Sequence, residues 1–129
     1  MDDAQPGQSL RLLDVAVTAM GGQHRPGQHE MAARVSEAIA DGRHLLVQAG
    51  TGTGKSLAYL VPLIEHALAG SKPAIVATAT LALQAQIVNR DLPRLLKAIG
   101  PELPRPVDVA LLKGRSNYVC LHKLDGGFP

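Results

Sequence analysis

Gln48-Ala49-Gly50-Thr51-Gly52-Thr53-Gly54-Lys55-Ser56 is the stretch on which the reading of the whole chain turns. Before it, His44-Leu45-Leu46-Val47-Gln48 is a short apolar run of strand length. After it, Leu57, Leu60, Val61 and Ile64 recur at helical spacing. A glycine-rich turn between a buried strand and a helix is the context of a phosphate-binding loop. Glycines permit the positive-φ conformations that turn successive backbone N–H groups toward one anion. The N–H groups at the start of the helix lack intrahelical partners, and its dipole favours negative charge there. In such a loop Lys55 reaches the β- and γ-phosphates, and Ser56 offers its hydroxyl to the bridging Mg²⁺. The strict pattern G-x-x-x-x-G-K-[ST] has Ala49 at its first position here, a departure of one methyl group. A solvated Gly/Thr loop with an exposed lysine is the plain alternative, and it leaves the Lys-Ser pair at the helix start without a reason.

Working backward, Gly42 stops a helix whose Met31, Val35 and Ile39 share a face, and Gln23-His24-Arg25-Pro26-Gly27-Gln28 forms the loop leading into it. An earlier helix is expected from Ser9, a plausible N-cap, with Leu10, Leu13, Val17 and Met20 as its stripe and Gly21-Gly22 as its end. Residues 1–8 are polar and are expected to be disordered.

Working forward, Pro62 sits inside the helix after the loop, which should kink it unless the helix is shorter than its apolar pattern. Gly70-Ser71-Lys72-Pro73 ends that helix. Ala74-Ile75-Val76-Ala77-Thr78 is a second buried-strand candidate, which makes a βαβ unit with parallel, right-handed closure. Thr80 is placed to cap a helix carrying Leu81, Leu83, Gln84, Ile87 and Val88. Asp91-Leu92-Pro93 is expected to interrupt it and to start a short helix through Leu95, Leu96 and Ile99. Pro101, Pro104 and Pro106 mark a stiff connection to the third strand candidate, residues 107–112. The fold class expected is α/β.

Composition narrows the setting. The 129 residues suit one domain, and 46% hydrophobic content supports a core built from Leu, Val, Ile and Ala, since there are one Phe, two Tyr and no Trp. A net charge of +2 permits nucleic-acid contact without arguing for it. A single cysteine excludes an internal disulfide and suits a reducing compartment. The first residues lack a basic and apolar leader pattern, and no apolar run approaches 18 residues, so a soluble cytoplasmic protein without membrane contact is expected.

Four stretches together resemble the iron–sulfur branch of the superfamily 2 DNA helicases, the DinG-like and XPD-like group. The loop, with small Ala49 at its head, is similar to the helicase form of the motif. Arg25-Pro26-x-Gln28 followed by Met31 resembles the Q motif that selects adenine ahead of the phosphate loop, and a glutamine amide offers the donor and acceptor that adenine's N6 and N7 require. Thr78-Ala79-Thr80-Leu81-x-x-Gln84-x-Gln86 looks like motif Ia, which holds the backbone of single-stranded DNA. Lys113-Gly114-Arg115-Ser116-Asn117-Tyr118-x-Cys120 resembles the segment delivering the first cysteine of the family's iron–sulfur domain.

The resemblance runs from about Arg25 to Cys120 and implies the opening quarter or less of a complete 5′-to-3′ DNA helicase. It implies a RecA-like P-loop fold with a partial parallel sheet of about three strands and flanking helices. Residues 9–112 would be an incomplete N-terminal motor domain, and residues 113–129 the start of an iron–sulfur domain. It implies ATP contacts from Arg25, Gln28, Ala49, Gly50, Thr51, Gly52, Thr53, Gly54, Lys55 and Ser56, with Lys55 also countering charge in the transition state. Mg²⁺ falls to Ser56, and single-stranded DNA to Thr78, Thr80, Gln84, Lys113 and Arg115. Cys120 would ligate a 4Fe–4S cluster in full-length relatives, but such a cluster needs about four thiolates and is not expected to be complete here.

No acidic Walker B pair, further cysteine, arginine finger or second motor domain is visible, and hydrolysis needs a carboxylate on Mg²⁺ and charge neutralisation. The chain alone is therefore expected neither to hydrolyse ATP nor to unwind DNA, and to depend on the missing part or a chain supplying it. A sheet of three strands would also leave an edge and apolar faces uncovered. The alternatives are a free-standing nucleotide-binding module acting with a partner, or a small P-loop kinase, which lacks its arginine-rich lid here.

Overall fold

The computed structural model describes residues 6–50 and 54–127. Its elements, in order, are α1 (Pro6–Ala19), α2 (Pro26–Ala40), α3 (Lys55–Ala69), α4 (Leu81–Gln86), a π-helical turn (Ile87–Asp91), α5 (Leu92–Ile99), 3-10 turns at Gly100–Glu102 and Arg115–Asn117, and α6 (Leu121–Leu124). α2 packs against α1 and α3, and α5 closes on α1. The core collects Leu12, Leu13, Ala16 and Val17 from α1, Leu60, Val61 and Ile64 from α3, then Ile87, Leu95 and Ile99. Fully burying one such side chain contributes about 1.5–3 kcal/mol, so this aliphatic cluster, with Tyr59 packed against it, holds the helices together.

α2 meets its neighbours through small groups. Its buried positions are Gln28, Ala32, Ser36 and Ala38, and the first three repeat every four residues. Met31, Val35 and Ile39, expected to share one face, line an apolar cleft of about 320 Å³ together with Leu45, Val47 and Leu63, and Met31 also packs against the core. The stripe was read correctly as one face, and the small residues beside it are the ones most deeply buried.

Several expectations change. α1 begins at Pro6, so residues 6–8 are helical and Ser9 lies inside the helix rather than capping it; the polar residues 1–5 lie outside the described residues. Buried Ser9 donates its hydroxyl to the Glu65 carboxylate, and Ser36 Oγ lies 3.4 Å away, so the three join α1, α2 and α3 through a polar contact. α3 runs unbroken through buried Pro62, which settles the choice between a short helix and a proline-bearing one. Residues 91–93 do not break the next helix either. A π-turn carries α4 directly into α5, the Leu92 N–H reaching back to the Ile87 carbonyl. The wider turn relaxes the ladder just before Pro93, which has no N–H to donate.

The parallel sheet is the main correction. Residues 44–48, 74–78 and 107–112 adopt no strand, and among the described residues no backbone hydrogen bond joins any two of them. Each stretch turns a large apolar side chain outward: Leu46 is 100%, Ile75 84% and Leu112 85% exposed. A parallel strand is held by ladders on its flanks and by cover on both faces. These stretches have the composition of buried strands but not the neighbours.

Candidate functional site

Gly54 is the pivot of the site. It stands immediately before α3 with φ 73° and ψ 37°, a left-handed conformation that an L side chain adopts only with strain. Its carbonyl accepts from Gln28 Nε2 at 3.0 Å, a contact between residues 26 apart in sequence. A Cβ on Gly54 would run into that same amide, lying 3.0 Å from Gln28 Cδ and closer still to Nε2. Gln28 is 4% exposed, and its Oε1 is buried with no hydrogen-bond partner among the described residues. The backbone oxygen can only accept, so it fixes which end of the amide faces Gly54 and leaves the acceptor end unsatisfied.

Lys55, the first residue of α3, is exposed and folds back so that Nζ donates to the Ala49 carbonyl at 3.1 Å. No carboxylate pairs with Lys55 among the described residues. Ser56 follows it on the first turn, partly exposed. Thr51, Gly52 and Thr53 lie outside the described residues. Arg25 is the N-cap of α2, one turn before Gln28, so α2 starts beside the loop that starts α3. The structure thus brings together Gln28 and Gly54, which the sequence separates by 26 positions.

The other expected contacts lie elsewhere and are committed locally. Thr80 caps α4 as expected, its hydroxyl accepting from Leu83 N at 3.1 Å, and Thr78 Oγ1 donates to the Thr80 carbonyl at 3.0 Å. Gln84 Nε2 donates to the Leu112 carbonyl at 3.1 Å, which ties α4 to the stretch ahead of Lys113. Tyr118 Oη accepts from Lys113 N at 2.8 Å and closes the turn holding exposed Arg115. Cys120 is a free, exposed thiol just before α6, at a cleft it shares with Tyr118 and Lys123. One thiolate does not make the donor set of an iron–sulfur cluster, so the residues present do not fit that group.

Sequence reading missed the buried Ser9, Ser36 and Glu65 contact. Its one visible signal is a carboxylate on the apolar face of α3, beside Ile64 and one turn after Val61. Burial raises the Glu65 carboxyl above its ordinary 4.5, while the Ser9 hydroxyl and the nearby Arg11 charge pull it back.

With the loop and the turn at residues 25–28 placed, comparison with known proteins becomes informative. The model of the DEAD/DEAH box helicases matches residues 26–114, a span opening beside Gln28 and containing the loop. The chain belongs to that family. It is 59% identical over 113 residues to the ATP-dependent helicase DinG of Mycobacterium tuberculosis H37Rv, an alignment covering 88% of this chain and 17% of that protein. It is 49% identical over 124 residues to the ATP-dependent DNA helicase YoaA of Escherichia coli K12, covering 96% of this chain and 17% of the relative. A third relative, 39% identical over 105 residues, is named 3′-5′ exonuclease DinG in Bacillus subtilis 168; 81% of this chain and 11% of that protein align. The chain therefore spans about a sixth of the length of the first two of these helicases. No solved structure matches it significantly. Membership carries with it the RecA-like P-loop fold, and the expected likeness to DinG-like helicases holds. No helix among the described residues is long and apolar enough to cross a membrane.

Proposed function

We propose that this chain is the ATP-binding part of a DinG-like, ATP-dependent DNA helicase of 5′-to-3′ polarity. The observation that carries the reading is the contact between buried Gln28 and left-handed Gly54, which seats the turn that would read adenine directly on the loop that would hold phosphate. Arg25 and Gln28 supply the base end of the site, with the unsatisfied Gln28 Oε1 as the acceptor an amino group would seek. Residues 49–56 supply the phosphate end. Lys55 would exchange the Ala49 carbonyl for phosphate oxygens, and Ser56 would hold Mg²⁺, which would neutralise phosphate charge.

Thr78, Thr80 and Gln84, with Lys113 and Arg115, form the single-stranded DNA contacts. Their hydroxyl and amide groups already hold α4 in place, so strand binding would act through a preformed turn. Without a carboxylate positioned on Mg²⁺, the chain by itself binds ATP but neither cleaves it nor unwinds DNA. Coupling to strand movement belongs to the whole helicase, in which Cys120 is one of several cluster ligands and the compartment is cytoplasmic.

Calorimetric titration of the chain with ATP and Mg²⁺, beside a Lys55→Ala variant, tests the proposal. Saturable one-to-one binding lost in the variant is the expected result. Binding of equal strength in the two proteins would overturn it.

A further inference from the structure

Three side chains remote from the phosphate loop's own groups meet at the α1–α2 corner. Asp14 comes from α1, His24 from the connecting segment and His29 from the first turns of α2. One ligand atom from each lies within 4.8 Å of the other two. His29 Nε2 is 2.5 Å from Asp14 Oδ1, and the His24 and His29 rings stand 3.9 Å apart between centroids at a 40° tilt.

The second nitrogen of His29 decides how this group is used. His29 Nδ1 lies 3.3 Å from the Arg25 carbonyl oxygen, which can only accept, so Nδ1 carries a proton. In the neutral ring Nε2 then keeps its lone pair and points it at a carboxylate oxygen. Two acceptors at that separation require something positive between them. A proton satisfies His29 and Asp14 but leaves His24 without a part; a metal ion uses all three. The arrangement is also the one found around metal-bound histidines in general, where the ring nitrogen away from the metal donates to a carbonyl or carboxylate and fixes the tautomer.

We propose that Asp14, His24 and His29 bind a divalent transition-metal ion of the zinc or nickel kind, with water completing its shell. Two imidazoles and one carboxylate are a donor set for these ions rather than for Ca²⁺ or Mg²⁺, which take oxygen ligands. Metal–ligand bonds of about 2.0–2.2 Å require the longest of the three separations to close and the shortest to open. Asp14 and His24 are both exposed, so side-chain rotation achieves this without moving the helices, while His29 is held by Arg25. The bound ion joins α1 to the beginning of α2, across the corner that also carries Arg25 and Gln28.

The test uses the full chain carrying Cys120→Ser, so that the free thiol takes no metal. Calorimetric titration with Zn²⁺, and separately with Ni²⁺, is expected to show one ion per chain, weakened about tenfold or more by His24→Ala and by Asp14→Asn. Both substitutions are at exposed positions, and unchanged far-UV circular dichroism would show the fold intact. In a histidine side-chain nitrogen NMR spectrum, Zn²⁺ should shift Nε2 of His29 and one nitrogen of His24 while Nδ1 of His29 stays protonated. Zn²⁺ binding of equal strength in both variants, no saturable binding, or shifts confined to His44, His66 or His122 would overturn the proposal.

Discussion

Replacing Gly54 with alanine separates two strains that meet at one atom. At φ 73° and ψ 37°, a side chain brings the left-handed penalty of about 1–2 kcal/mol. The new methyl also presses on the Gln28 amide, which must leave, losing its hydrogen bond to the Gly54 carbonyl at about 1 kcal/mol. Gly54→Ala alone should therefore destabilise the chain by about 2–3 kcal/mol. In a Gln28→Ala background the amide is already gone and only the backbone penalty remains, so the same substitution should cost about 1 kcal/mol less. Urea unfolding of the four proteins of this cycle, followed by far-UV circular dichroism, reads the difference directly. Equal costs in the two backgrounds, within about 0.3 kcal/mol, would show that Gln28 and Gly54 are not coupled and would remove the contact on which the functional reading stands.

Other outcomes follow from single contacts. Because burial raises the folded-state pKa of Glu65 above 4.5, its favourable contribution is complete below 4.5 and is lost as pH rises through the raised value. Wild-type stability should thus gain on a Glu65→Gln variant as pH falls from neutral to below 4.5, and parallel melting-temperature profiles would contradict this. Thr80→Ala should remove the cap on α4 at about 1 kcal/mol and speed hydrogen exchange at the Leu83 amide; unchanged exchange there would show that the cap holds nothing. With Cys120 as its single thiol, the purified monomer should be colourless, and visible absorbance at one cluster per monomer would refute the incomplete-ligand argument.

The parts legible in sequence are those governed by near neighbours. Helical spacing at Leu57, Leu60, Val61 and Ile64 found α3, the Gly-Lys-Ser run marked where that helix begins, and Thr80 was identified as a cap. Strand pairing was not legible, because Leu45, Leu46 and Val47 carry the composition of a buried strand whether or not another strand lies beside them. The most buried positions of α2 were not legible for a related reason: hydrophobicity marks Met31, Val35 and Ile39, while close packing prefers Ala32 and Ser36. Ser9 against Glu65, and Asp14 against His29, join residues far apart in the chain, and no local pattern announces such meetings.

The π-turn is, in effect, a change of phase written into one helix. At about 100° per residue, Ile87 and Leu95 would point about 80° apart on an uninterrupted α-helix, toward opposite edges of one apolar stripe. One extra residue in the turn brings them to within about 20°, and both are buried. Loss of a single residue between Ile87 and Asp91 would convert the turn to ordinary α-helix and keep the two side chains on one side, with the burden falling on Pro93, whose ring would then meet a carbonyl. Tolerance of length at this point is set by the proline downstream rather than by the residues of the turn itself.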